Sequence, residues 1–366
     1  MTTGKKPSLV VTGISGNLGS RLLPLLEDFD VIGVDIVPPR TDLPLRFEKI
    51  DLGREACCRQ LVQILRESNA RSVVHLAFII DPLRSGVLDS ERMWQINVAG
   101  TARVMEAITE ANRRGVLLDN FIFPSSISVY GPDTPGAVRE SHPLAAHTLP
   151  YAIHKQEADD VVRLRAESLG GCSTYLLRPA IFTGATVQNY LVGALRGTPT
   201  GKGKRAERMR SQGKRLPLLV PGKKYRQNRF QFVHVDDVAR LIANILHRPA
   251  GHNRELTILN VAGRGEPVTF EDAAALAHAR VVQVPGKWMM REILSLLWSW
   301  GVSGIPPEAT PYMCGSYLVD TSRLKQFLGG DYEKVIQYSV ATALQDSFNP
   351  VETGIASPSK VSSPIP

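Results

Sequence analysis

A turn with three evenly spaced glycines follows the first strand-like run of the chain: Gly13, Gly16 and Gly19. The run before it, Ser8 to Thr12, is rich in β-branched residues, and the stretch after it, Leu18 to Asp28, is amphipathic. A second apolar run, Asp30 to Asp35, comes next. This order predicts a strand, a tight turn, a helix and a second strand, which is the opening of a parallel sheet.

The same alternation continues to about Leu177. Further strands are predicted at Ser72 to Ala77, Phe121 to Ser125 and Thr174 to Leu177, with helices at Arg54 to Ser68, Glu91 to Arg113 and Tyr151 to Ser168. Strands that alternate with helices predict an α/β fold with a doubly wound parallel sheet of the Rossmann type.

The rhythm becomes irregular after Pro179, with proline and glycine breaks and two short strand candidates, Leu216 to Val220 and Arg229 to His234. We therefore expect a smaller, mixed C-terminal substrate lobe, some of whose segments return to the sheet. From Pro350 the chain is rich in Ser, Pro and Val, which favours disorder. The predicted divisions are a cofactor domain at 1–178, a substrate lobe at 179–349 and a disordered tail at 350–366.

Cysteine spacing argues against a metal site. The chain has 4 cysteines, and they form no Cys-x-x-Cys pair and no Cys/His set with zinc spacing. We read them as reduced thiols and expect a cytoplasmic protein without a bound metal.

The net charge of +8 belongs to one segment. Between Arg196 and Arg229 there are 12 Lys/Arg residues and one acid, Glu207, a local balance of +11 that leaves −3 on the rest. The fold as a whole is therefore not basic, and no nucleic-acid partner is expected. The segment is either a mobile lid that recruits an anionic substrate or a solvated surface loop.

No run of about 18 apolar residues occurs, so no membrane span is expected. The nearest approach lies in an apolar helix candidate, Lys287 to Trp300. Such a helix is more often part of a core than in contact with a membrane. It also keeps hydrophobic alcohols open as substrates.

The glycine turn has the context of a dinucleotide site, because it follows a strand and begins a helix. Gly13 permits the tight turn, Gly16 lets backbone N–H groups approach a pyrophosphate, and Gly19 lets the helix pack closely. Residues expected to line this turn are Ser15, Asn17 and Leu18. A turn without a ligand remains the alternative for the glycines alone.

Asp35 ends the second strand, where a carboxylate accepts hydrogen bonds from a ribose diol and repels a 2′-phosphate. This favours NAD over NADP, although Arg40 lies close behind and could bind that phosphate. Asp51 and Leu52 are candidates for adenine contact, and Ala77 for the ribose and phosphate region. His75, in the strand before Ala77, is more often a packed residue than a catalyst.

Tyr151 and Lys155 stand four residues apart on a predicted helix, so they project from one face. A nearby ammonium and an oxidised nicotinamide both favour the phenolate and lower the pKa of Tyr151 from its ordinary value near 10. Ser126 follows a strand at the edge where α/β sheets bind ligands, and its hydroxyl can hold a substrate oxygen. A solvated Tyr–Lys pair is the alternative for these two residues alone.

Taken together, these motifs resemble the extended short-chain dehydrogenase/reductase family and, within it, the NAD-dependent epimerase/dehydratase group. The resemblance runs from about Leu9 to Leu241 and rests on Gly13, Gly16, Gly19, Asp35, Asp51-Leu52, Asn97 to Thr101, Pro124 to Gly131, Tyr151 to Lys155, Leu177 to Pro179 and Phe232 to Val238. It implies that Ser126, Tyr151 and Lys155 are catalytic, that Lys155 also holds the nicotinamide ribose, and that Asn97 and Pro179 belong to the NAD site. We further expect a homodimer that acts on a small molecule.

The residues after Ser126 bear on the reaction. The family's sugar-nucleotide dehydratases carry Asp and Glu there, whereas this chain has Ile127 and Ser128. Dehydration is therefore disfavoured, which leaves a nucleotide-sugar epimerase or a net dehydrogenase or ketone reductase of a steroid-like or lipid alcohol. Asn189 and Arg229 are candidates for substrate binding, with Arg229 one residue from the register of the family's diphosphate-binding Arg.

A third hypothesis is a catalytically silent NAD-sensing or RNA-binding module that works through the basic segment. Its discriminator is the complete set of Ser126, Tyr151 and Lys155, which a purely binding protein does not need.

Overall fold

The computed structural model describes residues 6–80, 85–87, 89–248 and 255–349. The tail predicted at 350–366 lies outside these residues. Within them, no helix has the length and apolar character needed to cross a membrane.

The central feature is a parallel sheet of seven strands. In chain order, all strands of the described residues, including those outside this sheet, are β1 (Ser8–Thr12), β2 (Asp30–Asp35), β3 (Arg46–Lys49), β4 (Ser72–His75), β5 (Asn120–Pro124), β6 (Asp133–Val138), β7 (Ser173–Pro179), β8 (Ile181–Thr183), β9 (Leu218–Val220), β10 (Arg229–Phe230), β11 (Phe232–His234), β12 (Leu256–Val261), β13 (Val268–Thr269), β14 (Val281–Gln283) and β15 (Ser316–Val319). The sheet order is β12-β7-β5-β4-β1-β2-β3, and every neighbouring pair is parallel. Because the chain winds outward in both directions from β1, a crevice opens between the carboxyl ends of β1 and β4.

Helices cover both faces of this sheet. In chain order, the α-helices of the described residues are α1 (Asn17–Leu22), α2 (Ala56–Ser68), α3 (Ser90–Trp94), α4 (Gly100–Arg113), α5 (Pro150–Arg165), α6 (Tyr190–Arg196), α7 (Lys204–Ser211), α8 (Val235–His247), α9 (Phe270–Leu276), α10 (Gly286–Ser299), α11 (Thr310–Cys314), α12 (Ser322–Leu328), α13 (Tyr332–Val335) and α14 (Val340–Asp346). Side chains that alternate along a strand point to opposite faces, so Leu9 and Val11 join one apolar core and Val10 joins the other. The doubly wound α/β fold predicted from the sequence is confirmed.

Two predicted helices differ in the structure. The helix expected over Leu18 to Asp28 ends at Leu22 and continues as a short 3₁₀ turn, Leu23–Leu25, with Pro24 in it. Proline lacks the N–H that an α-helix needs, which explains the change. The helix expected over Glu91 to Arg113 contains a π-helical turn, Gln95–Ala99, between α3 and α4.

The C-terminal part of the chain contributes to both regions. Strand β12 returns to the central sheet beside β7, and its Leu256–Val261 run was not among the predicted strands. The basic segment is not a loop throughout, because Lys204–Ser211 form the helix α7. Short strand pairs, β8 with β11, β9 with β14, β10 with β13 and β6 with β15, build the smaller region.

Candidate active site

The glycine turn requires glycine for steric reasons. Gly13 has a φ of +71°, and a Cβ there would stand 2.4 Å from the backbone nitrogen of Ala77. A Cβ on Gly19 would stand 2.4 Å from the carbonyl oxygen of Ile14, so the helix packs directly on the turn. Gly16 precedes α1, and no side chain of the described residues caps this helix end. The turn therefore presents backbone N–H groups to the crevice, as a diphosphate site requires.

Asp35 is oriented by the same turn. One carboxylate oxygen accepts the backbone N–H of Ser15 at 3.0 Å, and the other accepts the N–H of Ile36 at 2.7 Å. The bonds from Ser15 and Ile36 fix the Asp35 carboxylate at the end of β2, where the sequence predicted a ribose contact.

The Asn17 side chain contacts the C-terminal part of the chain, because its amide donates to the Thr186 hydroxyl at 2.9 Å.

The residues after β3 form a polar cluster. Asp51 forms ion pairs with Arg92 and Arg54 and also accepts the N–H of Gly53 at 3.0 Å. Leu52 is buried. The carboxylate of Asp51 thus orients the loop that follows β3, while Leu52 packs below it.

Asn97 fixes the loop that follows β4. It is buried in the π-helical turn, where its amide oxygen accepts the N–H of Ile79 at 2.7 Å and its nitrogen donates to the Ile79 carbonyl at 3.0 Å. The same nitrogen lies 3.4 Å from Nδ1 of His154 in α5. The π-helical turn therefore ties the cofactor-side loop to the helix that carries Tyr151 and Lys155.

His75 is a packed residue. Its ring nitrogens contact the hydroxyls of Thr12 at 2.6 Å and Thr101 at 3.0 Å, and the ring stacks on Phe123. Burial, together with the nearby charge of Lys155, lowers the pKa of His75 to about 3. Both ring nitrogens are occupied by hydroxyl groups inside the protein, as expected for a packed residue.

Ser126 and Tyr151 meet at the carboxyl end of β5. Ser126 begins the 3₁₀ turn Ile127–Tyr130, with its hydroxyl oxygen accepting the N–H of Ser128 at 3.1 Å. The Ser126 side chain lies beside the Tyr151 phenol. Burial raises the pKa of Tyr151, and the Ser126 hydroxyl partly opposes the rise.

The Lys155 ammonium contacts a backbone carbonyl and an aromatic ring. It is buried, donates to the carbonyl of Pro124 at 2.7 Å and lies over the ring of Phe78. Burial lowers the pKa of Lys155 to about 7, although the charge of Asp159 opposes this. The lowering of the Tyr151 pKa that we expect from Lys155 together with the charge of oxidised nicotinamide stays a prediction, since burial raises this pKa in the protein alone.

A buried network that sequence reasoning missed lies behind these residues. Arg178 holds Asp159 through two hydrogen bonds, Nε to Oδ2 at 2.9 Å and Nη2 to Oδ1 at 2.8 Å. Ser125 also donates to Asp159 at 2.7 Å, and Arg178 donates to the Tyr130 hydroxyl at 2.7 Å. The sequence signal was Asp159 four residues after Lys155, which places both on one face of α5.

The two predicted substrate residues have separate environments. The Asn189 side chain accepts the N–H of Val192 at 2.9 Å and donates to the Phe182 carbonyl at 2.7 Å, so it caps α6. Arg229 is exposed in β10. Within the part of the chain that the structure describes, neither side chain hydrogen-bonds to Ser126 or Tyr151.

An apolar cavity lies between α6, β9 and α10. Its lining includes Leu218, Met290, Leu294, Leu297, Ile305 and Met313. Polar groups at its rim are few, among them Thr198, Thr200 and Ser303.

Among curated proteins, the chain is 28% identical over 184 residues to a UDP-glucose 4-epimerase of Erwinia amylovora, which covers 47% of this chain and 52% of that protein. It is 24% identical over 156 residues to an uncharacterized epimerase/dehydratase of Staphylococcus aureus, covering 40% and 44%. The chain thus spans about half the length of these relatives.

Solved structures match along nearly the whole chain. A Bacillus cereus UDP-glucuronic acid 4-epimerase, in complex with UDP-glucuronic acid and NAD, superposes with a TM-score of 0.63 at 20% identity over 93% of this chain and 98% of that one. A dTDP-glucose 4,6-dehydratase from Bacillus anthracis, in complex with NAD, gives 0.63 at 18% identity over 93% and 95%. At these identities the likeness shows the shared fold.

A family model provides the assignment. The model of the NAD dependent epimerase/dehydratase family matches residues 9–262, which include the glycine turn, Asp35, Ser126, Tyr151 and Lys155. This range is well over half of the chain. The chain therefore belongs to the NAD dependent epimerase/dehydratase family, whose members are NAD-dependent enzymes.

Proposed function

We propose that this chain is an NAD-dependent epimerase that oxidises a secondary-alcohol carbon of a nucleotide sugar and then reduces the ketone from the other side. The observation that carries the proposal is the placement of Tyr151 beside Ser126 at the carboxyl end of β5, close to the glycine turn. One short segment joins the two features, because the Ala77 backbone lies against Gly13 and the next residue, Phe78, contacts the Tyr151 ring. Proton transfer and cofactor binding therefore share one crevice.

The residues of the turn fit a dinucleotide. We assign the diphosphate to the N–H groups of Asn17, Leu18 and Gly19 at the start of α1, and the adenosine ribose to Asp35. Ser15 and Gly16 shape the turn, because their N–H groups donate to Asp35 and to the Gly13 carbonyl. Asp51, Leu52, Ala77, Asn97 and Pro179 line the rest of the site, and Lys155 and Tyr151 lie at its nicotinamide end. When bound, NAD supplies the hydride acceptor and, in its oxidised form, a positive charge that favours the phenolate of Tyr151.

Tyr151 acts as the general base, and Ser126 orients the substrate hydroxyl. The phenolate of Tyr151 takes the hydroxyl proton as the carbinol becomes a ketone, and the phenol that results returns this proton during reduction. A substrate hydroxyl bound beside these two side chains contacts the base and the orienting hydroxyl together. Lys155 sits one helical turn further along α5 as a cation that holds the cofactor's ribose.

The residues around Ser126 favour epimerisation over dehydration. Elimination of water needs an additional acid and base, and Ile127 and Ser128 provide neither a carboxylate nor an imidazole. Both side chains are buried against the core. The nucleotide-sugar substrate is supported by structural neighbours that hold UDP-glucuronic acid or UDP-glucose. The basic segment between Arg196 and Arg229 supports it too, because an anionic substrate is attracted by Lys and Arg side chains.

A second candidate is a dehydrogenase or ketone reductase of an apolar alcohol. The cavity lined by Leu218, Met290 and Leu294 favours it, because an apolar pocket with few polar groups suits a lipid-like or steroid-like substrate. Asn189 favours it too, since both ends of its amide are used inside the protein.

The remaining assignments complete the proposal. Residues 1–178 bind the cofactor and residues 179–349 provide most of the substrate lobe. Ser126, Asn189 and Arg229 contact the substrate, with Arg229 as the cation for a diphosphate. The protein acts on its small-molecule substrate as a homodimer in the cytoplasm.

Turnover by the purified protein tests this proposal. Mass spectrometry of the denatured protein should reveal co-purified NAD, and a panel of UDP-sugars, dTDP-sugars and hydroxysteroids should give one class of product. Tyr151→Phe should lower kcat by at least about a hundredfold while NAD affinity stays nearly constant, because only the ionisable oxygen is lost. Tyr332→Phe, in α13, is the matched control and should keep wild-type turnover.

The outcomes separate the candidates. Epimerised nucleotide sugar without net NADH supports the main proposal, and oxidised steroid with NADH supports the second candidate. Near-normal turnover by Tyr151→Phe would show that another group moves the proton. Binding of NAD without turnover of any alcohol would favour a silent binding module.

A further inference from the structure

Helix α10 has two apolar faces, although a helix that packs against a core needs only one. Its inner face, with Met290 and Leu294 buried, lines the apolar cavity. Its outer face exposes Trp288 by 66%, Leu296 by 51% and Trp300, just past the helix end, by 53%. Trp288 and Trp300 are 12 residues apart, about 18 Å along the helix axis, and the exposed Glu292 lies on the same side between them. The three exposed apolar side chains lie outside the core.

A cluster of basic side chains lies at the carboxyl-terminal end of the same helix. Within Lys202 to Arg215 there are seven Lys/Arg residues and one acid, Glu207. All seven are exposed: Lys202, Lys204, Arg205, Arg208, Arg210, Lys214 and Arg215. Arg210 also anchors the segment by donating to the carbonyls of Pro199 at 2.6 Å and Gly201 at 2.9 Å.

The exposed apolar side chains of α10 and the basic side chains of α7 lie next to each other. The backbone N–H of Gly203 donates to the Gly301 carbonyl at 2.9 Å, and the N–H of Gly201 donates to the Val302 carbonyl at 3.0 Å. A Cβ on Gly201 would stand 2.1 Å from the Gly301 oxygen, so the two backbone segments touch without room for a side chain. The Arg205 guanidinium lies 5.2 Å from the Trp300 ring. The start of α7 is therefore held beside the end of α10.

We propose that the exposed face of α10 and the basic face of α7 together dock on an anionic lipid bilayer. Exposed Trp and Leu side chains enter the boundary between headgroups and acyl chains, while Lys and Arg side chains bind lipid phosphates. Across both helices the exposed cations, including Arg291, outnumber the two acids, Glu207 and Glu292. The surface thus has both the apolar and the electrostatic component that interfacial binding requires.

Charge also argues against a second copy of the chain as the occupant. A two-fold interface places the same patch on both partners, so the basic faces of two α7 helices would come close together. With Glu207 as the one acid in this segment, the repulsion would stay largely uncompensated. A surface of negative phosphates neutralises the same charges.

Vesicle binding by the full chain tests this inference, and it does not depend on the substrate or the reaction. We expect co-sedimentation with vesicles of 70% phosphatidylcholine and 30% phosphatidylglycerol at about 0.1 M salt, weak binding to pure phosphatidylcholine, and release at about 0.5 M salt. Trp fluorescence should shift to shorter wavelength on binding.

Two variants separate the components. Lys204→Gln with Arg208→Gln should weaken binding by roughly fivefold for each charge removed, because each surface cation contributes about one such factor. Trp288→Ser with Trp300→Ser should abolish the fluorescence shift. The matched control, Arg59→Gln with Arg323→Gln, removes two exposed cations from α2 and α12 and should bind like wild type.

Four results would overturn the inference. The first is no binding to the anionic vesicles at low salt. The second is equal loss of binding in the control variant, which would mean that total charge and not this surface matters. The third is a concentration-dependent dimer, measured by sedimentation, that buries Trp288 and Trp300 and survives 0.5 M salt. The fourth is RNA that binds the α7 face of the wild-type protein and prevents vesicle binding, when lipid alone causes no fluorescence shift. That result would assign the surface to another partner.

Discussion

The Lys155 ammonium lies 3.7 Å from the centre of the Phe78 ring and donates a hydrogen bond to the Pro124 carbonyl. The ring covers the one cation that is assigned to the cofactor's ribose, and the cover contributes to the low pKa of Lys155, about 7. Phe78 must therefore turn aside before the ammonium can reach a ribose hydroxyl.

We predict that Phe78→Ala moves the pH dependence of NAD binding. In wild type, affinity should fall as the pH rises through about 7, because Lys155 loses its proton there. In the variant, water reaches the ammonium, the pKa rises and the fall should occur at higher pH. Titration calorimetry between pH 6 and 10 measures this. Phe327→Ala removes a ring that covers Arg248 in a similar way, and it should leave the profile unchanged. An unmoved midpoint in Phe78→Ala would contradict the role of the ring.

Lys155→Met should stabilise the fold while it abolishes cofactor positioning. The folded-state pKa of about 7 lies below the ordinary value of 10.5, so the unfolded chain binds more protons between these pH values. Wild-type stability from this group therefore rises with pH across that window, and the penalty is complete below pH 7. The advantage of Lys155→Met, on the order of a few kcal/mol, should be largest at pH 6 to 7 and should shrink towards pH 10.

Urea unfolding at several pH values measures this difference. Lys49→Met, at an exposed position in β3, should change the free energy of unfolding by less than about 0.5 kcal/mol at every pH. A Lys155→Met variant whose advantage grew with pH would show that the buried lysine is charged without penalty.

Asp35 should determine the preference for NAD over NADP. Asp35→Ser removes the carboxylate that would repel a 2′-phosphate and leaves Arg40 exposed nearby. We expect the ratio of NAD to NADP affinity to fall by about tenfold, the equivalent of about 1.4 kcal/mol. Adding Arg40→Ala should remove the gain in NADP binding. If Asp35→Ser leaves the ratio unchanged, another residue reads the ribose.

The buried pair of Arg178 and Asp159 should be far more important for stability than an exposed pair. Arg178→Met removes the buried cation that pairs with Asp159 and leaves Ser125 and the partly exposed Arg163 as its partners, so it should cost up to about 3–5 kcal/mol. Replacing both, with Arg178→Met and Asp159→Leu, should recover most of that loss. Arg139→Met breaks the exposed pair with Asp320 and should cost less than about 1 kcal/mol. Equal losses in the two single variants, measured by urea unfolding, would contradict the role of the buried network.

Local patterns predicted the features whose residues lie close together in the chain. Gly13, Gly16 and Gly19 mark a turn because their spacing is read over a few residues, and Tyr151 and Lys155 share a face because a helix repeats every 3.6 residues. The strands of the sheet were recognisable for the same reason, since side-chain alternation is a local property. Asp35 followed from its place at the end of a strand.

Only the tertiary structure decided the contacts between distant residues. The direction of the Lys155 ammonium depends on Phe78 and on Pro124. Asp159 in the helix α5 pairs with Arg178 in the strand β7. Strand β12 joins the sheet, and α7 lies beside α10, through contacts that no local pattern specifies. The reason is physical: spacing along the chain determines which face a side chain occupies, but packing determines what it meets and how far burial shifts its pKa. The sequence by itself thus determined the type of fold and the residues of the crevice, and tertiary packing decided the protonation and orientation of those residues.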